Sequence, residues 1–164
     1  MGGGYAGSVS AGVFERVRRH WERCESAPTI RPGVRDDEVA AFEARYDVRL
    51  PVELIDYLKV ANGLAAHHSD DELTGFWGLD RIQPAVSFYP HGQYSLTDVE
   101  ARSWFIYCDV MIDSYWWAIR LDSERQGGAP VRTWGDGGDG AVVTVDSLTQ
   151  FFEAYLADPR FPLR

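Results

Sequence analysis

The order in which helical and strand patterns follow one another most constrains the fold of this chain. Before residue 63, apolar residues recur at three- and four-residue steps, as on the buried face of a helix. From residue 75, short aromatic and β-branched segments alternate with turns rich in Gly, Asp, Ser or Pro. One further helical pattern closes the chain at residues 148–156. Helices, then strands, then a helix predict an α+β domain.

The individual segments allow a more detailed prediction. Helical patterns cover residues 9–26, 36–45, 51–61 and 148–156. Strand patterns cover residues 75–79, 104–108, 115–121, 131–134 and 141–145. No helical pattern separates the last four strands, so neighbouring strands should be largely antiparallel. We predict a single domain with a mixed, mostly antiparallel β-sheet packed by N-terminal helices and a C-terminal helix.

Length and composition agree with one well-filled domain. The chain has 164 residues, of which 45% are hydrophobic and 13% aromatic. A domain of this size buries roughly 70% of the surface that its unfolded chain exposes, so it needs neither a metal nor a disulfide to fold. Residues 1–12 contain five glycines and no charged side chain. We therefore predict a flexible leader at 1–12 and a single domain at 13–164.

The charge is unevenly distributed. The formal net charge is −9, with 16 basic and 25 acidic residues, and most of the excess follows residue 63. Nucleic acids and anionic membranes are bound by clustered Lys and Arg, so we expect neither as a partner. No segment is long and apolar enough to span a bilayer. The charge permits a basic protein partner.

Candidate catalytic and metal-binding residues are few. His20 and Cys24 are four residues apart on a predicted helix, but no second pair of zinc ligands accompanies them. Residues 135–140 lack the terminal Glu of a calcium loop. The chain has a single lysine, Lys59, and no glycine-rich phosphate loop precedes it. We expect no enzyme, cofactor or metal, although the sequence leaves open a pair of carboxylates that hydrolyse glycosides.

Three segments carry a recognisable pattern. In the first, an amphipathic helix at 39–43 is followed by what we call the Leu-Pro/Asn-Gly segment (residues 50–63), which starts at a Leu-Pro junction and ends in Asn-Gly. The second runs from a strand at 105–109 into another at 115–121, and the third, 145–159, holds the closing helix. Together they resemble the SUKH superfamily, which contains a yeast regulator of cell-wall synthesis and many bacterial immunity proteins.

The resemblance covers residues 34–159 and implies an α+β domain that binds other proteins and has no catalytic activity. Many bacterial members are antidotes to toxins encoded beside them. We therefore expect a cytoplasmic immunity protein that neutralises a cognate toxin, such as a nuclease with a basic cleft, by direct binding. The alternative that remains open is a regulatory or scaffolding protein-interaction domain unrelated to toxins.

Charge and loop position select the candidate partner-binding residues. Trp116 and Trp117 are adjacent in a predicted strand, so their side chains should point to opposite faces of the sheet. If helices cover only one face, one tryptophan is exposed and can anchor an interface. The candidate contacts are five acidic loop residues and one tryptophan: Asp70, Asp71, Glu72, Asp136, Asp139 and Trp116.

Overall fold

A computed structural model describes residues 9–88, 98–134 and 142–163. Its helices in chain order are α1 (Val9–Trp21), α2 (Asp36–Tyr46), α3 (Val52–Val60), α4 (Ala85–Phe88), α5 (Asp98–Ser103) and α6 (Leu148–Ala157). Its strands are β1 (Thr74–Phe76), β2 (Gln83–Pro84), β3 (Trp104–Val110), β4 (Tyr115–Arg120), β5 (Val131–Trp134) and β6 (Thr144–Val145). A short 3-10 helix, Phe161–Leu163, follows α6.

The strands form one six-stranded sheet in the order β1-β3-β4-β5-β6, and β2 also pairs with β3. Every pairing in the described part of the chain is antiparallel. The longest strand, β3, therefore lies inside the sheet and pairs with β1, β2 and β4. The predicted α+β fold with a mostly antiparallel sheet and flanking helices is confirmed.

Several element boundaries differ from the prediction. Helix α1 ends at Trp21 because the next residues form a tighter turn, in which the Cys24 N–H bonds the carbonyl of Trp21. It begins at Val9, so it includes residues 9–12 of the predicted leader; residues 1–8 lie outside the described residues. Strand β1 ends at Phe76, although the Trp77 N–H still donates to the Tyr107 carbonyl of β3. The chain turns at residues 78–82, where the Ile82 N–H donates to the Gly78 carbonyl. Strand β2 and helices α4 and α5, each two to six residues long, were not predicted because so short an element shows no periodicity.

The core lies between the sheet and the helices α1, α3 and α6. Trp117 in β4 packs edge-to-face against Phe151 of α6, with ring centroids 4.9 Å apart. Phe152, on the next position of α6, contacts Phe14 of α1 and Tyr57 of α3. Edge-to-face and tilted aromatic pairs of this kind add to the free energy gained by burying their area. Three sequence-distant helices are thus joined to the sheet by one aromatic cluster.

The Leu-Pro/Asn-Gly segment joins the helices to each other. The side chains of Leu50, Leu54 and Leu58 are fully buried, as the apolar stripe predicted. Between them, Glu53 is only 4% exposed, and its carboxylate accepts hydrogen bonds from the backbone N–H groups of residues 129, 148 and 149 at 2.9 Å each. The hydroxyl of Thr149 also donates to it, at 2.8 Å. Glu53 of α3 therefore satisfies the free N–H groups at the start of α6.

The end of the same segment fixes the chain after α3. Helix α3 ends at Val60, and Gly63 has a left-handed φ of 66°. A β-carbon at Gly63 would lie 2.5 Å from the carbonyl carbon of Trp77. Beside it, the Asn62 side-chain oxygen accepts the N–H of Leu79 at 2.7 Å. Glycine is therefore required here both by its backbone conformation and by the close approach of the chain that follows β1.

A second buried carboxylate joins α2 to the start of the Leu-Pro/Asn-Gly segment. Glu43 is 5% exposed and accepts the Leu50 N–H at 2.9 Å. Arg49 and Arg125 each place a guanidinium nitrogen 2.9 Å from its carboxylate. Burial alone would raise the pKa of Glu43, but the hydrogen bond from Leu50 and the two guanidinium groups outweigh burial and lower it.

Glu43→Gln should lower the free energy of unfolding at pH 7 by about 2 kcal/mol. It should also reduce the acid sensitivity of the fold. Because the pKa of Glu43 is lower in the folded state, its contribution is complete above the pKa of an unfolded Glu, about 4.3, and is lost as the pH falls through the folded value. Urea unfolding from pH 7 to pH 3 measures this, with Glu124→Gln as an exposed control. Parallel stability curves for Glu43→Gln and the unsubstituted chain would contradict the assignment.

Candidate partner-binding surface

Two turns meet at one end of the sheet. We call residues 70–73, which lead into β1, the acidic turn, and residues 111–114, which connect β3 to β4, the hairpin turn. Thr74 of β1 pairs with Val110 of β3, so the two turns leave the sheet side by side. They are joined directly, because the Met111 N–H donates to the Leu73 carbonyl at 2.9 Å. Three of the six predicted contact residues lie on the acidic turn.

Asp70 lies inside the protein and positions the acidic turn. It is 2% exposed, and one carboxylate oxygen accepts the N–H groups of Glu72 and Thr74 at 2.9 Å each. The other accepts the Tyr155 hydroxyl at 2.6 Å, and that hydroxyl in turn accepts the indole N–H of Trp21 at 3.2 Å. Burial raises the pKa of Asp70, an effect that these hydrogen bonds oppose. Asp70, predicted as a partner contact, therefore supports the surface from beneath.

Asp71 and Glu72 lie on the surface, where the prediction placed them. The Asp71 carboxylate accepts the N–H groups of Glu25 and Ser26 at 3.0 and 2.7 Å, and these bonds lower the pKa of Asp71. Glu72 forms an ion pair with Arg160 at 3.3 Å. Both carboxylates are thus held in place from outside the turn, and Asp71 keeps its negative charge well below neutral pH.

The hairpin turn has an unusual backbone. Met111, Ile112 and Asp113 have φ angles of 52°, 55° and 59°, so three consecutive residues other than glycine are left-handed. The left-handed region costs an L-residue about 1–2 kcal/mol. The Ser114 hydroxyl donates to the Met111 carbonyl at 2.8 Å, and the Ser114 N–H donates to the Val110 carbonyl. Residues 111–114 form a connecting turn as predicted, but the backbone strain was not foreseen.

Trp116 is buried, contrary to the expectation that it is exposed. It is 5% exposed, and its indole N–H donates to the Asp113 carboxylate at 3.2 Å. The prediction assumed that only one face of the sheet is covered. Trp117 is fully buried on one face, while Trp134, the partner of Trp116 in β5, is 3% exposed on the other. Both faces are therefore covered, and Trp116 supports the hairpin turn rather than presenting itself to a partner.

Arg81 contacts residues at the base of the hairpin turn. The Arg81 guanidinium lies 4.0 Å from the centroid of the Trp77 ring and 3.5 Å from the Asp109 carboxylate. A second Arg81 nitrogen lies 3.8 Å from Asp113. Asp109 also accepts the Trp77 indole N–H at 2.7 Å, and burial raises the pKa of Asp109 despite that bond. Strand β3, the segment after β1 and the hairpin turn are thus connected through polar side chains.

Sequence reasoning missed the exposed apolar residues of the two turns. Leu73, Met111 and Ile112 are 46%, 50% and 81% exposed. Leu73 is an apolar residue within a polar run, which is common on protein surfaces, and Met111 and Ile112 follow the apolar Val110, so the sequence did not mark any of the three as exposed. The remaining predicted contacts, Asp136 and Asp139, lie outside the described residues and stay predictions.

An open cavity of about 240 Å³ lies beside Asp47 and Arg49, and another lies between α2 and the segment around Asp80. The latter has a volume of about 260 Å³ and an apolar floor that includes Phe42 and Leu79, with the Arg31–Asp80 ion pair at its edge. Among the residues that the structure describes, no three His, Cys, Asp or Glu side chains are grouped to hold a metal ion. In the same part of the chain, no helix is long and apolar enough to cross a membrane.

Comparison with models of known protein families identifies a family for this chain. The model of the SMI1 / KNR4 family (SUKH-1) matches residues 33–154, well over half of the chain. The matched region begins before α2 and ends within α6, so it includes the Leu-Pro/Asn-Gly segment and both turns. A search of curated proteins finds no match.

Proposed function

Because the chain belongs to the SMI1 / KNR4 family (SUKH-1), we propose that it is a non-catalytic immunity protein that neutralises a cognate toxin by direct binding. Family membership is consistent with a protein-interaction domain in general. The observation that most supports the finer proposal is the acidic turn, in which Asp71 and Glu72 are fixed at the surface by bonds to other parts of the chain. An acidic surface that is already ordered suits a basic partner.

The charge of the chain indicates which toxins fit. The net charge is −9, and most of it follows residue 63. A nuclease toxin must attract phosphate, so its active-site cleft carries Lys and Arg. Complementary charge accelerates association and selects such a partner over neutral ones. We therefore propose a basic, nuclease-like toxin domain that meets this protein in the cytoplasm of the producing cell.

The buried ionisable groups support a non-catalytic role. Burial raises the pKa of both Asp70 and Asp109, as it often does for catalytic carboxylates. Each of them, however, is bonded inside the fold, Asp70 to Tyr155 and Asp109 to the indole of Trp77. Asp109 is also paired with Arg81, so both carboxylates are engaged in holding parts of the fold in place.

Co-expression with the product of the adjacent gene tests the proposal. We expect that product to stop growth when expressed alone, and the present chain to restore growth and to co-purify with it. Binding without any toxicity would favour a regulatory or scaffolding domain instead. An adjacent product that is toxic but is neither bound nor neutralised would overturn the immunity proposal.

Charge reversal tests the proposed contacts outside the described residues. Asp136→Lys with Asp139→Lys should slow association with the toxin and weaken its salt dependence, since exposed charges mainly affect the association rate. The matched control is Asp122→Lys with Glu124→Lys, which makes the same charge change in the β4–β5 connection at the other end of the sheet. Equal association rates for the two double variants would remove Asp136 and Asp139 from the interface.

A further inference from the structure

We propose that Leu73, Met111 and Ile112 form the apolar centre of the partner-binding surface, and that the partner presents an apolar pocket edged by Lys and Arg side chains. This proposal rests on the function proposed above. It specifies which surface binds the partner and which chemistry that surface recognises. We call these three side chains together with Glu72 and Asp113 the turn patch.

Exposure first points to the turn patch. Five large hydrophobic residues are exposed in the described part of the chain, and three of them belong to the two adjoining turns. Ile112 is the most exposed of the five, at 81%. The backbone bond from Met111 to Leu73 places the three side chains on neighbouring turns. Apolar side chains clustered in this way and surrounded by polar ones mark interaction sites.

Backbone strain gives a second, independent reason. All four residues Leu73, Met111, Ile112 and Asp113 are left-handed, with φ between 52° and 62°. For a β-branched residue such as Ile112 this conformation is a real outlier. Glycine or asparagine would form the same turns with less strain. Strained conformations persist where the surrounding structure fixes them, and they cluster at functional sites. Here they place the apolar side chains of Leu73, Met111 and Ile112 at the surface.

The turn patch is also ordered before any partner binds. Trp116 holds Asp113, and the Ser114 hydroxyl closes the hairpin turn onto the Met111 carbonyl. On the other side, Asp70 holds the acidic turn through the N–H groups of Glu72 and Thr74. A surface that is already in its bound conformation loses less entropy on association. Asp70 and Trp116 are therefore positioning residues for this surface.

The charged groups around the turn patch indicate the chemistry of the partner. Four carboxylates belong to the turns, three of them at the surface, and two guanidinium groups pair with them, a formal net charge of −2: Asp70, Asp71, Glu72, Asp113, Arg81 and Arg160. A second copy of this chain, with its own charge of −9, would bring like charge against this surface. An apolar pocket edged by Lys and Arg complements both the centre and the rim.

Ile112→Asp tests the apolar centre, with the toxin from the adjacent gene as the probe. We expect the dissociation constant to rise about 30-fold or more, as for a residue at the centre of an interface. Val52→Asp is the control, because Val52 is also exposed, at 45%, and lies by the β4–β5 connection at the other end of the sheet. Unchanged affinity of Ile112→Asp, with the original chain binding tightly, would overturn the turn patch and leave the immunity function standing. A toxin that does not bind the original chain would overturn both.

Ile112→Gly separates binding from folding. Glycine adopts the left-handed conformation without strain, so the free energy of unfolding should rise. An increase of about 1 kcal/mol would raise the melting temperature by about 2–4 °C. Loss of the side chain should nevertheless weaken toxin binding at least tenfold. A variant with both a higher melting temperature and full affinity would show that the side chain is not used. Sedimentation gives a further outcome: a dimer of the original chain that Ile112→Asp dissociates would mean that a second copy, and not a basic partner, covers the turn patch.

Discussion

Glu53→Gln should destabilise the folded chain by about 2–4 kcal/mol, although it replaces only one carboxylate oxygen by an amide nitrogen. Both oxygens of Glu53 are used: one accepts the N–H groups of Ala129 and Leu148, and the other accepts the N–H and hydroxyl of Thr149. A glutamine offers one oxygen and one NH₂ group. If the NH₂ group faces Ala129 and Leu148, two backbone N–H groups lose their acceptor; if it faces Thr149, the backbone N–H of Thr149 does, although the hydroxyl can rotate and accept. Either way at least one donor is left without an acceptor in a site that is 4% exposed.

The expected size follows from burial. Hydrogen bonds to a charged acceptor contribute about 1.5–3 kcal/mol each, and a buried donor left without an acceptor loses its hydration as well. Urea unfolding of Glu53→Gln and Glu53→Ala measures the loss, and Glu53→Ala should be the less stable because no acceptor remains. Glu124→Gln, an exposed residue, should change stability by less than about 0.5 kcal/mol. If Glu53→Gln matches that control, α6 does not depend on the carboxylate.

Gly63→Ala should be the second large effect, with a loss of about 3 kcal/mol or more or failure to fold. The substitution adds one methyl group, but at φ 66° and 2.5 Å from the Trp77 carbonyl carbon. The left-handed conformation alone costs about 1–2 kcal/mol, and the overlap with backbone atoms requires β1 and the end of α3 to move apart. That movement would also break the bond between Asn62 and the Leu79 N–H.

Gly12→Ala is the matched control for this substitution. Gly12 lies in α1, and a β-carbon there would meet nothing within 4 Å. The same change should therefore stabilise the chain by roughly 0.5–1 kcal/mol, because alanine favours a helix over glycine. Thermal unfolding should show a melting temperature about 6–12 °C lower for Gly63→Ala and slightly higher for Gly12→Ala. Melting of both variants within 1 °C or so of the original chain would mean that the Asn-Gly end of α3 is not needed for packing.

The fold could be predicted from the sequence where elements are long enough to show a period. Leu50, Leu54 and Leu58 repeat at the spacing of a helix, and the structure buries all three. The sheet was recognised from its aromatic and β-branched strands, and its antiparallel pairing from their order. Helices α4 and α5 were not predicted because they have four and six residues, too few for a helical pattern to repeat.

The candidate site could be predicted only in part, because burial depends on distant residues. Asp70 belongs to a polar run that resembles a surface loop, but it is buried, where it accepts a hydrogen bond from Tyr155, 85 residues away in the sequence. Trp116 was expected on an open face, which the fold covers. Ile112, conversely, is an apolar residue that nothing in its neighbourhood marks as exposed. Charge selected the acidic turn, whose role in partner binding stays a prediction, whereas the apolar residues beside it became visible only once β1 and β3 were paired.

Both large stability effects fall in the Leu-Pro/Asn-Gly segment, whereas the turn patch lies at the far end of β1 and β3. Amide hydrogen exchange, measured with and without the toxin from the adjacent gene, tests this separation most directly. We expect the toxin to slow amide exchange in residues 70–73 and 111–114 and to leave the exchange rates in α2 and α3 unchanged. Slower exchange confined to α2 and α3, with both turns unaffected, would contradict this expectation.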